Sequence, residues 1–230
     1  MTEMKKWLKK LLNGERTTIV AFGDSVTAGY FKSGDEFHSE KDEGAVYHQI
    51  LAKKLREFFK GCDLEVINAG VGGETAGCGL KRFETDVAAK KPDLCIVCWG
   101  LNDVNGSLEN YKNNIAEIFI KLKAIGCETV FMTPNMLNTK VCDGVAEQHK
   151  AYAVKTAQMQ NEGRMEDFMA VARETARQHG VPVCDCYSKW KSLAEMGVDT
   201  TLLLDNYINH PIREMHFFFA DCLFDTLLFG

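Results

Sequence analysis

Gly23-Asp24-Ser25 is a tripeptide that could carry nucleophilic chemistry, because it follows directly after the apolar run Thr18–Phe22. A serine hydroxyl at the end of a first strand lies where α/β enzymes hold their functional side chains. The same composition is also ordinary for a turn without function. Ser25 is therefore a candidate nucleophile only if other segments supply a base and hydrogen-bond donors.

Two later segments could supply donors to the negatively charged oxygen that forms in acyl transfer. Glycines in Asn68–Thr75 let the main chain approach a ligand closely, and the amide of Asn102 in Gly100–Asp103 can point an N–H at the same oxygen. Each segment also has a simpler interpretation, a tight strand-to-helix turn for the first and an Asx turn for the second. Together they predict an oxyanion hole beside Ser25.

His210 is the best candidate for the base that takes the serine proton. It stands between Asn209 and Pro211 at a predicted junction of loop and helix, whereas His179 resembles the last residue of a helix and His149 lies in a polar stretch. A single histidine is more often structural than catalytic. The neighbouring pattern favours His210 as the general base.

Five strand-like apolar runs alternate with helical patterns and must position these side chains. Such alternation predicts an α/β fold in which a parallel sheet has helices on both faces. A chain of 230 residues with 46% hydrophobic composition is compatible with one large domain over residues 1–230. The predicted strands are Thr18–Phe22, Leu64–Asn68, Leu94–Trp99, Thr129–Thr133 and Val181–Asp185.

Helix signals lie between these runs. Ser107 is a plausible N-cap for a helix, and Pro211 suits the first turn of the last helix. The apolar stripe predicted for the helix after Ser107 consists of Tyr111, Ile115, Ile118, Phe119 and Leu122.

Three segments fit this scheme less directly. Residues 31–44 and 134–160 lack a clear regular pattern and follow strand ends on the presumed catalytic edge, so they are candidate substrate-binding lids or simple surface excursions. Residues 1–14 predict a helical extension that packs on the domain edge, with contact to a membrane surface as the alternative. Its apolar face would be Met4, Trp7, Leu8 and Leu11.

Charge and cysteine content exclude several classes of function. A net charge of −5, with 27 scattered Lys and Arg residues, does not favour nucleic acid as a partner. The absence of a run long enough to span a bilayer predicts no membrane insertion. Nine cysteines, an odd number, are expected to be reduced thiols in a cytoplasmic protein. Neither Cys95-Ile-Val-Cys98, inside an apolar run, nor the pair Cys184 and Cys186 has a second ligand pair, so no metal and no cofactor are predicted.

Taken together, the four segments closely resemble the SGNH/GDSL hydrolases, over Ile19 to Leu228. The resemblance implies a three-layer α/β/α sandwich with a five-stranded parallel sheet of the flavodoxin-like type. It implies that Ser25 is the nucleophile and lends its backbone N–H to the oxyanion hole, that Gly73 and Asn102 are the other two donors, and that His210 is the base.

The sequence departs from this family at the catalytic acid. Members usually carry aspartate three residues before the histidine, but that position is Tyr207 here, and the nearest upstream carboxylate is Asp205. A longer loop could still bring Asp205 to the imidazole. Otherwise a backbone carbonyl or Asn206 orients His210, and the site is a Ser-His dyad.

The resemblance implies a serine esterase that hydrolyses a carboxylic ester through an acyl-serine intermediate. The expected partner is a small-molecule ester with an acetyl or short acyl group, of which an O-acetylated sugar is one candidate. A lysophospholipase or thioesterase is an alternative. Because Tyr207 replaces the usual acid, a non-catalytic carbohydrate- or acyl-binding protein is another.

Overall fold

The computed structural model describes residues 5–33 and 36–230 of the chain. Strands in these residues are β1 (Thr17–Gly23), β2 (Tyr30–Ser33), β3 (Glu36–Lys41), β4 (Leu64–Gly70), β5 (Leu94–Cys98), β6 (Glu128–Met132) and β7 (Val183–Cys184). Helices are α1 (Lys6–Leu12), α2 (Ser25–Ala28), α3 (Tyr47–Phe58), α4 (Ala76–Asp86), α5 (Leu108–Ala124), α6 (Lys150–Asn161), α7 (Arg164–Gln178), α8 (Cys186–Glu195) and α9 (Arg213–Phe229).

A five-stranded parallel sheet forms the centre of the fold, in the spatial order β4-β1-β5-β6-β7. Counted along the chain, these strands are ordered 2-1-3-4-5, which is the flavodoxin-like doubly wound arrangement. Helices α3 and α9 pack on each other, whereas α4, α5 and α7 pack in series. Right-handed connections place these two sets on opposite faces of the sheet. The predicted fold class is confirmed.

The helix after Ser107 follows its prediction closely. Ser107 Oγ accepts a hydrogen bond from the backbone N–H of Asn110 at 3.3 Å and so caps α5. All members of the predicted stripe are buried, and the ring of Phe119 packs edge-on against that of Phe131 in the sheet. The 3.6-residue periodicity therefore identified the face of α5 that contacts the core.

Two predictions about local structure are wrong. Pro211 lies outside α9, which begins at Arg213, and instead forms an isolated antiparallel bridge with Leu204. The second half of the segment 134–160 is regular, because Lys150–Asn161 form α6. The buried residues of α6 are Ala153, Thr156, Ala157 and Gln160. Since two of these are polar, this helix shows little apolar periodicity.

The other predicted lid, residues 31–44, contains most of an antiparallel pair. Strands β2 and β3 form a two-stranded sheet of their own, with an irregularity between Phe31 and Ser33. Residues 34 and 35 lie outside the described residues. The role of either segment as a lid stays a prediction.

Helix α1 lies against the main core. Trp7 and Leu11 are buried in it, and the backbone N–H of Trp7 donates to Glu128 Oε2 at 2.7 Å. Lys10 forms an ion pair with Asp93 at 2.8 Å. Residues 1–4, including Met4 of the predicted apolar face, lie outside the described residues. No helix in the described part of the chain is long and apolar enough to cross a membrane.

Candidate active site

The serine is held at the end of β1 by a short capped helix. Asp24 is the N-cap of α2, and its Oδ1 accepts the backbone N–H of Val26 at 3.0 Å. A Cβ atom at Gly23 would lie 2.6 Å from the carbonyl oxygen of Cys98, and one at Gly70 would lie 2.2 Å from the backbone nitrogen of Ala28. Both positions need glycine because α2 is packed tightly between neighbouring strand ends.

Ser25 and His210 are brought together although they are far apart in the chain. Ser25 Oγ lies 2.8 Å from His210 Nε2, and the two residues are only 5% and 1% exposed. With Nε2 unprotonated, the imidazole can accept the hydroxyl proton and raise the nucleophilicity of the oxygen. The two residues have the geometry of a nucleophile and its base.

Asn206 shapes the turn that presents His210. Its Oδ1 accepts the backbone N–H groups of Ile208, Asn209 and His210, each at 3.0 Å, and its Nδ2 donates to Asn209 Oδ1 at 3.0 Å. Within this turn Tyr207 has a φ of 56°, in the left-handed region. From its position in the sequence, Asn206 was expected only as a candidate partner of the imidazole. Its real signal is that asparagine often bonds to backbone groups a few residues ahead.

The second ring nitrogen of His210 lies beside a backbone group. Nδ1 is 3.2 Å from the carbonyl oxygen of Tyr30, at the start of β2. A carbonyl only accepts hydrogen bonds, so this contact favours the tautomer that carries its proton on Nδ1 and leaves Nε2 as the acceptor. Asp205 donates its backbone N–H to the carbonyl of His210 at 2.6 Å. The catalytic role of the Asp205 carboxylate stays a prediction.

The candidate oxyanion donors lie on two segments that are bonded to each other. Asn102 Nδ2 donates to the carbonyl of Glu74 at 2.8 Å, and Asp103 Oδ1 accepts the backbone N–H of Ala76 at 3.0 Å. Gly73 has a φ of 75°, a conformation that favours glycine. Because an amide nitrogen carries two hydrogens, the bond to Glu74 leaves Asn102 one N–H for a substrate oxygen.

Two buried carboxyl groups lie beside these elements. Burial raises the pKa of Asp24 to about 7, and the negative charge of Asp103 acts in the same direction. Burial raises the pKa of Asp103 to about 6, and its Oδ2 has no hydrogen-bond partner among the described residues. Burial thus disfavours the charged form of both carboxyl groups.

A family model described as "GDSL-like Lipase/Acylhydrolase family" matches residues 21–216. The chain is similar to the uncharacterized lipoprotein YqeF of Bacillus subtilis, with 24% identity over an alignment of 191 residues. The match covers 77% of this chain and 72% of that protein. It is also similar to an acetylxylan esterase of Geobacillus stearothermophilus, with 25% identity over an alignment of 137 residues. That match covers 54% of this chain and 62% of that protein.

Solved structures share the fold. The crystal structure of the lipase/acylhydrolase from Enterococcus faecalis superimposes with a TM-score of 0.68 at 22% identity. The match covers 90% of this chain and 93% of that one. The fold of this chain thus belongs to an architecture that other chains adopt with largely different sequences.

Proposed function

Since this chain belongs to the GDSL-like lipase/acylhydrolase family, we propose that it is a serine esterase in which Ser25 is the nucleophile and His210 the general base. The observation that carries the proposal is the distance of 2.8 Å between Ser25 Oγ and His210 Nε2. A protein that only bound its ligand would have no need of a serine hydroxyl in contact with an imidazole nitrogen.

The reaction runs through two similar halves. Ser25 Oγ attacks the ester carbonyl carbon while His210 Nε2 takes the hydroxyl proton, and the carbonyl oxygen becomes an oxyanion. The backbone N–H groups of Ser25 and Gly73 and the side chain of Asn102 donate to that oxygen. The intermediate collapses, the bond to the alcohol breaks, and Nε2 returns the proton to the alcohol. Water then attacks the acyl-serine by the same route and releases the acid.

The proposed substrates are esters of acetyl or other short acyl groups, with an O-acetylated sugar as the leading candidate for the alcohol part. The name of the acetylxylan esterase relative supports an acetylated carbohydrate. A chromogenic ester series of increasing acyl length tests this selectivity, and a rate maximum at long chains would contradict it.

Ser25→Ala is expected to abolish ester hydrolysis and to change the melting temperature by only a few degrees, because one hydrogen bond contributes about 1 kcal/mol. His210→Ala should lose activity to a similar degree, and the double variant should be no slower than either single one, since the two groups act as a unit. Ser192→Ala, at an exposed position of α8, is the matched control. Activity that survives in Ser25→Ala would remove Ser25 from the proposed mechanism.

A fluorophosphonate probe separates catalysis from binding. The probe should label the wild-type protein at Ser25 and leave Ser25→Ala unlabelled, because only an activated serine displaces the leaving group from phosphorus. Peptide mass mapping identifies the labelled residue. A wild-type protein that stays unlabelled would favour the non-catalytic alternative.

A cytoplasmic location is part of the same proposal. It is supported by nine cysteines that are all free thiols. One relative is named a lipoprotein, so fractionation of expressing cells is the direct test. Recovery of the protein in a membrane fraction would contradict the proposed location.

A further inference from the structure

We propose that Arg82 is a positioning residue that, through Glu74, holds the Gly73 loop in register with the Ser25 turn. The inference rests on the proposed function and extends it, because Arg82 acts through the proposed donors rather than on the substrate. It follows from the bonds of one side chain that reaches three elements of the site.

The guanidinium of Arg82, on α4, donates to two backbone carbonyls. Nη1 bonds to the carbonyl of Ala69 at 2.8 Å and Nη2 to that of Gly23 at 3.1 Å. Ala69 lies at the end of β4, immediately before the glycine-rich loop, and Gly23 lies at the end of β1, two residues before Ser25. A single rigid, planar group thus links the strand end that leads to Gly73 with the strand end that leads to the nucleophile.

The same guanidinium holds the far side of the loop. Nε donates to Glu74 Oε2 at 2.6 Å. Glu74 is the residue after Gly73, and its carbonyl accepts the hydrogen bond from Asn102 Nδ2. Displacement of Glu74 would therefore move Gly73 directly and would disturb the orientation of Asn102 at the same time.

Arg82 itself is firmly held. Its side chain is 14% exposed, its Nη1 also bonds to Asp86 Oδ2 at 3.0 Å, and its guanidinium carbon lies 4.9 Å from the ring centre of Phe22 and 5.8 Å from that of Trp99. Charge-assisted bonds and ring contacts restrict the guanidinium to one position. A group fixed in this way can transmit that position to the loop.

A general stabilising role and a positioning role predict different results. If Arg82 only stabilises the fold, its loss lowers the melting temperature and leaves turnover in the folded fraction unchanged. If it positions the donors, its loss lowers kcat while KM changes little, because donors that miss the oxyanion matter more in the transition state than in the ground state. A displacement of about 1 Å at a catalytic group can cost about 10²-fold in rate.

The test measures kcat, KM and the inhibition constant of a boronic acid in the wild type and in Arg82→Met, Arg82→Lys and Glu74→Gln. A boronic acid is used because it forms a tetrahedral adduct with an active-site serine. Arg173→Met is the matched control, because Arg173 also bonds to two carboxylates and lies over a tyrosine ring. It is located near β7, the edge strand at the opposite end of the sheet from β4. We expect Arg82→Met to lower kcat about 10²-fold and to weaken the boronic acid by a similar factor, with KM within about threefold. Arg173→Met should keep the wild-type kcat.

Arg82→Lys retains the charge but not the planar fork, so it should lose kcat in the same direction even if Arg82→Met does not fold. Glu74→Gln should show a smaller loss and should add little to Arg82→Lys, since the two side chains form one bond. If folded Arg82→Lys and Glu74→Gln both keep the wild-type kcat, the positioning role of Arg82 is overturned while the proposed esterase function stands. A wild-type protein without esterase activity would instead overturn the proposed function.

Discussion

His210 has a different partner at each ring nitrogen, and this asymmetry sets its chemistry. Nε2 faces Ser25 Oγ, whereas Nδ1 faces the Tyr30 carbonyl. In a Ser-His-Asp triad a carboxylate at Nδ1 both fixes the tautomer and stabilises the imidazolium that forms. A neutral carbonyl performs the first task and contributes less to the second. The contact with Tyr30 therefore accounts for the tautomer, and the stabilisation of the imidazolium by the Asp205 carboxylate stays a prediction.

Asp205→Asn tests this at the level of one side chain. We expect kcat to fall by about 10⁴-fold, the size seen when the carboxylate of a triad becomes an amide, because the imidazolium would lose the negative charge that stabilises it. Steady-state kinetics on a short-chain chromogenic ester provides the measurement. A loss of no more than about tenfold would instead show that the Tyr30 carbonyl is sufficient to orient His210 and that the site is a Ser-His dyad.

Asn102→Ala tests the proposed oxyanion hole. Removal of one such donor typically lowers kcat by ~10²–10³, with a smaller change in KM. Asn105→Ala is the matched control, since Asn105 is a nearby exposed asparagine whose side chain bonds to Asn102 O, Tyr152 and Lys155. Equal losses in the two variants would indicate that Asn102 acts through the loop structure alone.

The residues that could be predicted were those whose chemistry is visible in their type and neighbours. Ser25 and His210 stand in polar junctions and were predicted as a nucleophile and its base, and the structure places their side chains in contact. Asn206 and Arg82 were missed in their structural roles, because each acts by bonding to backbone carbonyls or N–H groups that only the folded turn brings within reach. A residue type can indicate a tendency to bond to the backbone, but the sequence does not show which backbone groups the side chain reaches.

At the level of elements, two buried histidines connect α2, α3 and α9. His48 Nε2 lies 3.0 Å from the carbonyl of Thr27, and His216 Nδ1 accepts the backbone N–H of Tyr47 at 3.2 Å. Burial lowers the pKa of His48 to about 4 and that of His216 to about 3. Both residues are therefore neutral in the folded protein at pH values where an unfolded histidine, with a pKa near 6.5, is protonated.

His216→Gln tests how the neutral, buried His216 contributes to the pH dependence of stability. As pH falls below about 6.5, the unfolded wild-type chain takes up a proton at His216 that the folded state does not, so wild-type stability decreases. The difference in unfolding free energy between wild type and variant should be constant above pH 7.5 and should shrink by up to about 1.4 kcal/mol per pH unit between pH 6.5 and 3. Urea denaturation at a series of pH values measures it, and a difference independent of pH would contradict the prediction.

For Asp24 the pH dependence of stability should run in the opposite direction, which Asp24→Asn tests by urea denaturation at the same pH values. The raised pKa of Asp24, about 7, means that the folded state binds the proton more tightly than an unfolded chain does, so the contribution of Asp24 is lost as pH rises through 7. The wild type should therefore lose stability relative to Asp24→Asn between pH 4 and 7. These opposing effects flatten the wild-type profile, which is why differences between variants are the useful quantity.

Secondary structure could be predicted where one face of an element is apolar. The stripe of α5 and the buried run of β1 carry a strong periodic signal. Helix α6 buries threonine and glutamine, and Thr156 Oγ1 donates to Asn138 Oδ1 at 2.6 Å. Its inner face is satisfied by hydrogen bonds rather than by apolar contacts, so hydrophobic periodicity had nothing to detect.

At the scale of the whole molecule, the strand order determines where the site forms. β1 lies between β4 and β5, and the Ser25 turn, the Gly73 loop and Asn102 follow the carboxyl ends of these three strands. The chain runs from β1 to β4 on one side of it and then crosses to β5 on the other side, and such a reversal of strand order opens a crevice at that edge. Alternation of strands and helices predicted the layers, but the lateral order depends on packing between segments distant in sequence.

Trp7→Ala tests how firmly the amino-terminal helix belongs to this molecule. Trp7 is 1% exposed within the core, so we expect a loss of about 3–5 kcal/mol in unfolding free energy, as for other buried aromatic side chains. Leu12→Ala, at a residue 51% exposed, should change it by no more than about 0.5 kcal/mol. A negligible effect of Trp7→Ala would favour the alternative in which this helix contacts a membrane surface.

The contact between Ser25 and His210 joins atoms that are 185 positions apart. At ribosomal elongation rates of about 5–20 residues per second, the histidine is added about 10–40 s after the serine. A nascent chain that has already emerged with β1 and the Ser25 turn therefore carries a hydroxyl without its base. Under the proposed mechanism, the growing polypeptide stays unreactive towards cellular esters until synthesis has passed His210, so the proposed activity can arise only late in synthesis.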